Sequence, residues 1–250
     1  DQLPNICHGQ HPPGSYGDSS AMAYIRDMLP DCSYTLEVSH RMNSTICGLI
    51  QSHFYPDIPG LQSGKNADAH VLEGDKRLSS LIRDDFPHKH PRLSRCKEEA
   101  ERVVEWVQRL LPMRVTMDEG SGITTRNLTP ADIAILTPFR SQVRAIQSAL
   151  SASGVPMDKI RIGSVEKMQG QGAAVVIYSL ASSSKDYIAG QTEWLLSANR
   201  WNVAISRAIA CAIIVGDTAA HLTAIPNALD GLDAQARIGR LVEANIWELE

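Results

Sequence analysis

The stretch Asp132-Ile133-Ala134-Ile135-Leu136-Thr137-Pro138-Phe139-Arg140-Ser141-Gln142 decides the fold class. Its first part is a near-continuous apolar run, the pattern of a strand buried on both faces of a parallel sheet. It runs into a polar signature. Residues 141–151 then set Val143, Ile146 and Leu150 along one side of a helix. The same unit recurs outward in both directions. Downstream, residues 160–165 and 174–180 read as strands, 195–208 as a helix, and 212–215 as a last buried strand ending at Gly216-Asp217. Upstream, residues 97–111 form the clearest helix, striped by Val103, Val104, Val107, Leu110 and Leu111. Its Glu98, Glu99 and Glu101 read as a solvated first turn that suits the helix dipole.

Farther upstream, residues 34–38 alternate like a strand, and 41–52 carry Ile46, Leu49 and Ile50 at helical spacing. Residues 56–97 are broken by Pro and Gly and are expected to be irregular, with room for one short strand. Residues 112–129 are expected to be a loop. Residues 1–33 read as a loop with a short helix near 19–28. The alternation predicts an α/β domain with a mainly parallel central sheet and helices on both faces. In such sheets ligands sit at the carboxyl ends of strands, which points to the polar residues just after each strand.

Composition narrows the functional classes. A chain of 250 residues, 43% hydrophobic and 21% charged, fits one large soluble domain or a domain with a short extra segment. The net charge of -4 gives no global basic signal, so any nucleic-acid surface is local. No apolar run is long enough to span a membrane, and no export signal is visible. An intracellular place, cytoplasmic or nuclear, is expected. The five cysteines, Cys7, Cys32, Cys47, Cys96 and Cys211, include no C-x-x-C pair, and read as free thiols. Asn43-Ser44-Thr45 and Asn127-Leu128-Thr129 fit a glycosylation pattern by chance. The chain opens on Asp1-Gln2-Leu3-Pro4 with no Met, which reads as a piece of a longer protein.

Two arginines stand out. Arg41 starts a helix just after a strand, and Arg207 lies on a helix otherwise lined by Val203, Ala204 and Ala208. A guanidinium is permanently charged and holds two phosphate oxygens at once. Placed against a nucleotide on a neighbouring lobe, such a group stabilises charge on a transferred phosphoryl group. Gln169-Gly170-Gln171-Gly172 is a tight turn whose glycines allow close backbone approach to phosphate or ribose. Ser164 offers a hydroxyl to a phosphate. The bland alternatives are a structural salt bridge and an ordinary turn.

The order of the signatures adds more. S-V-E-K-M-Q-G-Q from Ser164, A-V-V-I-Y-S-L from Ala174, N-R-W-N-V-A-I-S-R-A from Asn199 and I-I-V-G-D from Ile213 together resemble superfamily 1 helicases. The likeness covers nearly the whole chain. It is to the 5′-to-3′ branch that includes the nonsense-mediated decay helicase, and closer still to the helicase half of bacterial proteins fused to a RecB-like nuclease. The resemblance implies the C-terminal RecA-like lobe of such a motor, a P-loop NTPase fold. Residues 1–33 would be the tail of the first lobe and its connector, and 34–250 the second lobe. By that resemblance Gln2 senses the γ-phosphate, Arg41 contacts it, and Arg207 is the arginine finger. Gln169, Gly170, Gln171 and Gly172 form the turn between nucleotide and strand sites. Thr137 and Ser164 touch the nucleic-acid backbone. The implied partners are single-stranded DNA or RNA and the first lobe; the implied cofactors are ATP and Mg²⁺.

There are departures from the pattern. Gly172 stands where the family usually has Glu, and His40 where Tyr is common. Gly172 keeps a second reading open, a degenerate lobe that binds nucleic acid or a partner without catalysis. No G-x-x-x-x-G-K-[ST] occurs, so the chain by itself is expected to hydrolyse no ATP. His88-Lys89-His90, with His8 and His11, matches no common zinc spacing and reads as solvated loop histidines. Gly17-Asp18-Ser19-Ser20 resembles an esterase serine only weakly, since G-x-S-x-G is absent.

Overall fold

A computed structural model describes residues 24, 25, 28, 29, 36–56, 60–168, 170–223 and 241. Gln2, Gln169, Ser19, His8, His11, Cys7 and Cys32 lie outside the described residues.

The centre is a five-stranded sheet built from β4 (Leu81–Asp85), β7 (Ile133–Leu136), β8 (Arg161–Gly163), β9 (Ala173–Ser179) and β10 (Ala208–Gly216). Its order is β4-β10-β9-β7-β8, and every pairing is parallel. The strands at its heart, β7 and β9, are buried at every residue, which is why they read as unbroken apolar runs. One face packs on α1 (Ser44–Phe54) and α6 (Ala198–Ser206) through Ile46, Ile50, Trp201 and Ile205. The other packs on α2 (Lys97–Leu110) and α3 (Arg140–Ser153) through Val103, Val107, Leu110, Ile146 and Leu150. Helices on both faces of a parallel sheet are the expected architecture.

Several elements differ from expectation. The strand expected at 34–38 is the two-residue β1 (Val38–Ser39), paired in parallel with β2 (Gln62–Ser63). Residues 56–97 are not merely irregular, because they hold β2, β3 (Val71–Glu73) and β4, the edge of the main sheet. Only Leu81 and Ile82 of β4 are buried, so an edge strand ending Arg-Asp-Asp hid among polar residues. Residues 112–129 are a hairpin, β5 (Arg114–Asp118) and β6 (Ile123–Asn127), forming an antiparallel sheet in the order β3-β5-β6. Its turn uses Gly120 and Gly122 at φ 85 and 131. The helix expected at 195–208 is broken. α4 (Lys185–Gly190) and α5 (Thr192–Leu195) precede α6, and Ala208 already belongs to β10. After β10 comes α7 (Thr218–Thr223).

The N-terminal end of α1 is fixed by one side chain. Asn43 caps the helix by accepting from the Ile46 amide at 3.1 Å. Its amide donates to His70 O at 3.1 Å, Ser80 Oγ at 2.8 Å and Ala210 O at 3.1 Å. A fully paired, buried Asn therefore ties α1 to the start of β4 and β10, and so sets the position of Arg41 two residues earlier.

Candidate functional site

The predicted site residues fall at the two opposite ends of the sheet. Arg207 immediately precedes β10, and Gly172 immediately precedes β9, so both lie at the amino ends. Arg41 reaches the same place, its Nη1 donating to Ser206 O at 3.3 Å. A Cβ placed on Gly172 would lie 3.3 Å from Arg41 Nε and 3.6 Å from Arg207 O. Arg207 is only 7% exposed, and its Nε donates to Val203 O at 3.3 Å. Burial, and then the charge of Arg41, pull the Arg207 pKa below the ordinary arginine value. No carboxylate pairs with either guanidinium among the described residues. Two cations held together without a counter-ion are a costly arrangement that an anion between them would relieve.

The turn before β9 is shaped for this meeting. Gly170 adopts φ 82, a left-handed conformation that suits glycine, and Gln171 N donates to Met168 O at 3.0 Å. Arg161 Nη1 donates to Gly172 O at 2.9 Å, holding the turn to β8. Gly170 and Gln171 are exposed.

Thr137 and Ser164 lie at the carboxyl ends, following β7 and β8. They are adjacent, because Thr137 N donates to Gly163 O at 3.1 Å. Leu136 is level with both Gly163 and Tyr178, whereas Ala208 is level with Ala173. Five residues of β9 separate those levels, roughly 16 Å at the rise of a strand. Thr137 and Ser164 thus lie at the end of the sheet to which the carboxyl-end rule points, and the arginines lie at the other. Thr137 is fully buried and its hydroxyl has no partner. Ser164 is half-buried and bonds Glu166, whose other partner is Arg200 at 2.9 Å. Burial pushes the Glu166 carboxyl up, but the bonds from Ser164 and Arg200 outweigh it and hold the carboxyl below its ordinary range.

Comparison with known proteins bears on this two-ended layout. The model of a family described as an AAA domain matches residues 18–219. The chain belongs to that AAA domain family. Its likeness to curated helicases places it with superfamily 1, in the branch that includes the nonsense-mediated decay helicase. "Putative helicase mov-10-B.1" of Danio rerio is 33% identical over 130 residues, 48% of this chain and 12% of that protein. "Probable RNA helicase armi" of Drosophila melanogaster is 37% identical over 103 residues, 40% of this chain and 8% of that protein. "DNA replication ATP-dependent helicase/nuclease DNA2" of Bos taurus is 36% identical over 87 residues, 35% of this chain and 8% of that protein. The chain thus spans only about a tenth of the length of these relatives. No helix among the described residues is long and apolar enough to cross a membrane.

A buried polar network centred on Glu99 was missed by sequence reading. Glu99 is not solvated but 0% exposed. It accepts from Ser179 Oγ at 2.5 Å, from Ala181 N at 2.9 Å and from His88 Nε2 at 2.8 Å. His88, expected in solvent, has a side chain 1% exposed, with Nδ1 2.8 Å from Ser183 Oγ. Burial would lower the His88 pKa, but its bonds to Cys96 and Glu99 raise it to about 9. The ring is therefore an imidazolium paired with a carboxylate beneath the carboxyl ends of β4, β9 and β10. Gln142 joins the network, donating to Ser179 Oγ at 3.2 Å and accepting from Cys96 N at 2.9 Å. His88, Cys96 and Glu99 lie within 4.8 Å of one another. Glu99 and His88 already have partners on each polar atom, so the cluster is complete as an internal ion pair.

Tyr55 and Asn202 were also missed. Asn202 donates to Tyr55 OH at 2.8 Å, and Tyr55 lies close enough to Arg207 to act on its charge. Asn202 stood inside the quoted N-R-W-N-V-A block, which was the available signal; Tyr55 carried none.

Proposed function

We propose that residues 34–250 are the second RecA-like lobe of an ATP-dependent helicase, with residues 1–33 as the tail of the first lobe and its connector. One observation carries the reading. Arg41 and Arg207 share one surface at the amino ends of β9 and β10, close-packed on Gly172 and without a carboxylate partner. That surface fits the triphosphate of ATP bound to a partner lobe. Arg207 would neutralise charge on the phosphoryl group during transfer, and Arg41 would hold it. Gly170, Gln171 and Gly172 would offer backbone to the nucleotide, Gln169 would complete the turn, and Gln2 would sense the γ-phosphate. The arginine cluster supplies no carboxylate for Mg²⁺, so metal ligands would come from the first lobe. Single-stranded DNA or RNA would pass over Ser164 at the other end, with the fully buried Thr137 beneath that track. Lobe closure would shift that grip, which is translocation by a two-state motion.

The second reading, a degenerate binding lobe, rests on Gly172 in place of the family's Glu. One experiment separates the two. In the whole polypeptide that carries this chain, Arg207→Ala should lower kcat for ATP by roughly a thousandfold while strand binding persists. Near-normal strand-stimulated turnover in that variant removes the arginine-finger role. A parent polypeptide with no turnover that still binds strand establishes the degenerate reading.

A further inference from the structure

We propose that residues 88–96, in the loop between β4 and α2, form a second phosphate-contacting edge for single-stranded nucleic acid. Lys89, Arg95 and the adjacent Arg140 are its cations. The proposal rests on the reading that the carboxyl-end face carries the strand.

The loop is pinned from inside. His88 is fixed by Glu99 and Ser183, and its backbone N donates to Asp217 Oδ2 at 3.3 Å. Arg92 O accepts from the amides of Ser183 and Ser184, each at 2.9 Å. Ser94 O accepts from Ser141 Oγ at 2.7 Å, and Cys96 N donates to Gln142. The residues between these anchors face outward, and Lys89, His90, Leu93 and Arg95 are exposed. From 92 to 97 inward and outward positions alternate, as in an extended chain, where side chains two apart share a face about 6.6 Å from each other. A polar loop with this many anchors presents its outward side chains at fixed positions.

The charges there are unbalanced. Lys89, Arg95 and Arg140 make no ion pair among the described residues. The nearby acids are already engaged. Glu98 pairs with Arg92 at 2.7 Å, Glu99 is buried on His88, and Asp217 receives the amides of His88 and Ala220. Elsewhere arginines such as Arg102, Arg126 and Arg200 have carboxylate partners. The bonds from Ser141 and Gln142 bring the loop against the start of α3, where Arg140 is the first residue and Phe139 offers no side-chain cap. A positive helix end beside three unpaired cations, three residues beyond Thr137, suits a polyanion better than a single small ion. These side chains would read backbone charge rather than base identity, so they add affinity and salt sensitivity rather than sequence preference.

The test uses the whole polypeptide and a fluorescently labelled oligothymidylate, with oligouridylate as a second probe. Binding anisotropy is titrated across salt for Lys89→Ala/Arg95→Ala, for Ser164→Ala, and for Arg77→Ala at the opposite end. The double variant should bind about tenfold more weakly, with a log–log salt slope shallower by about 1.4, two phosphate contacts on a single strand. Arg77→Ala should match the parent. An unchanged affinity and slope in the double variant, with Ser164→Ala weakened, overturns the loop while leaving the strand track in place. A parent that binds neither probe overturns both. Loss of binding to polyglutamate but not to either oligonucleotide also overturns the proposal, because the loop would then serve an acidic protein. Both substitutions are at exposed positions, and unchanged thermal melting verifies the fold.

Discussion

The two ends of the central sheet handle buried charge in opposite ways. At the amino ends, Arg41 and Arg207 are brought together with no acid between them among the described residues, and burial and the Arg41 charge pull the Arg207 pKa below its ordinary value. At the carboxyl ends, His88 and Glu99 are buried as a matched pair with every polar atom engaged. The first arrangement costs stability and gains it back only with an anion; the second is complete within the fold. On the proposed reading, unbalanced charge marks the binding surface, and balanced charge marks the scaffold beneath it.

That contrast can be broken most forcefully at Glu99. Glu99→Ala leaves a buried imidazolium and orphans the Ala181 amide and the Ser179 hydroxyl. It should cost about 3–5 kcal/mol, read as a lower denaturant midpoint. A loss under 1 kcal/mol would show that the pair is not structural. Arg207→Ala should do the reverse, leaving the midpoint unchanged or slightly higher while turnover collapses. The His88 pair also has a pH signature. Its pKa of about 9 lies above the ordinary 6.5, so its contribution is full below pH 6.5 and is lost as pH rises through 9. The melting temperature should fall across that window by the equivalent of on the order of 3 kcal/mol, and His88→Gln should flatten the fall. The smallest expected effect is at Gly172. Gly172→Ala presses on Arg41 from 3.3 Å and should raise KM for ATP severalfold with less than about 0.5 kcal/mol change in stability. An unchanged KM would mean that Arg41 does not sit on the nucleotide surface.

The buried parallel strands were legible because β7, β9 and β10 are apolar over most of their length and have no solvent face to alternate with. The edge strand β4 and the hairpin β5–β6 were not. Their burial is partial, and Thr124, Thr125, Arg126 and Asn127 read as loop until pairing with β5 is known. The meeting of Arg41 and Arg207 was foreseeable from the resemblance, which implied that both act on one phosphate. The end of the sheet on which they meet did need coordinates. Glu99 and His88 were misread because a charged residue in a first turn or a basic loop is usually solvated. Nothing local reveals that Ser179 and Ala181, some eighty positions away, arrive to cover Glu99.

The segment from Ser164 to Gly172 runs from the carboxyl end of β8 to the amino end of β9 in nine positions, with a short 3-10 turn at Val165–Met168. Arg200 grips it near one end and Arg161 at the other. So short a span has little slack to absorb displacement. On the proposed reading it would act as a connecting rod, carrying a displacement at the phosphate surface to the strand track.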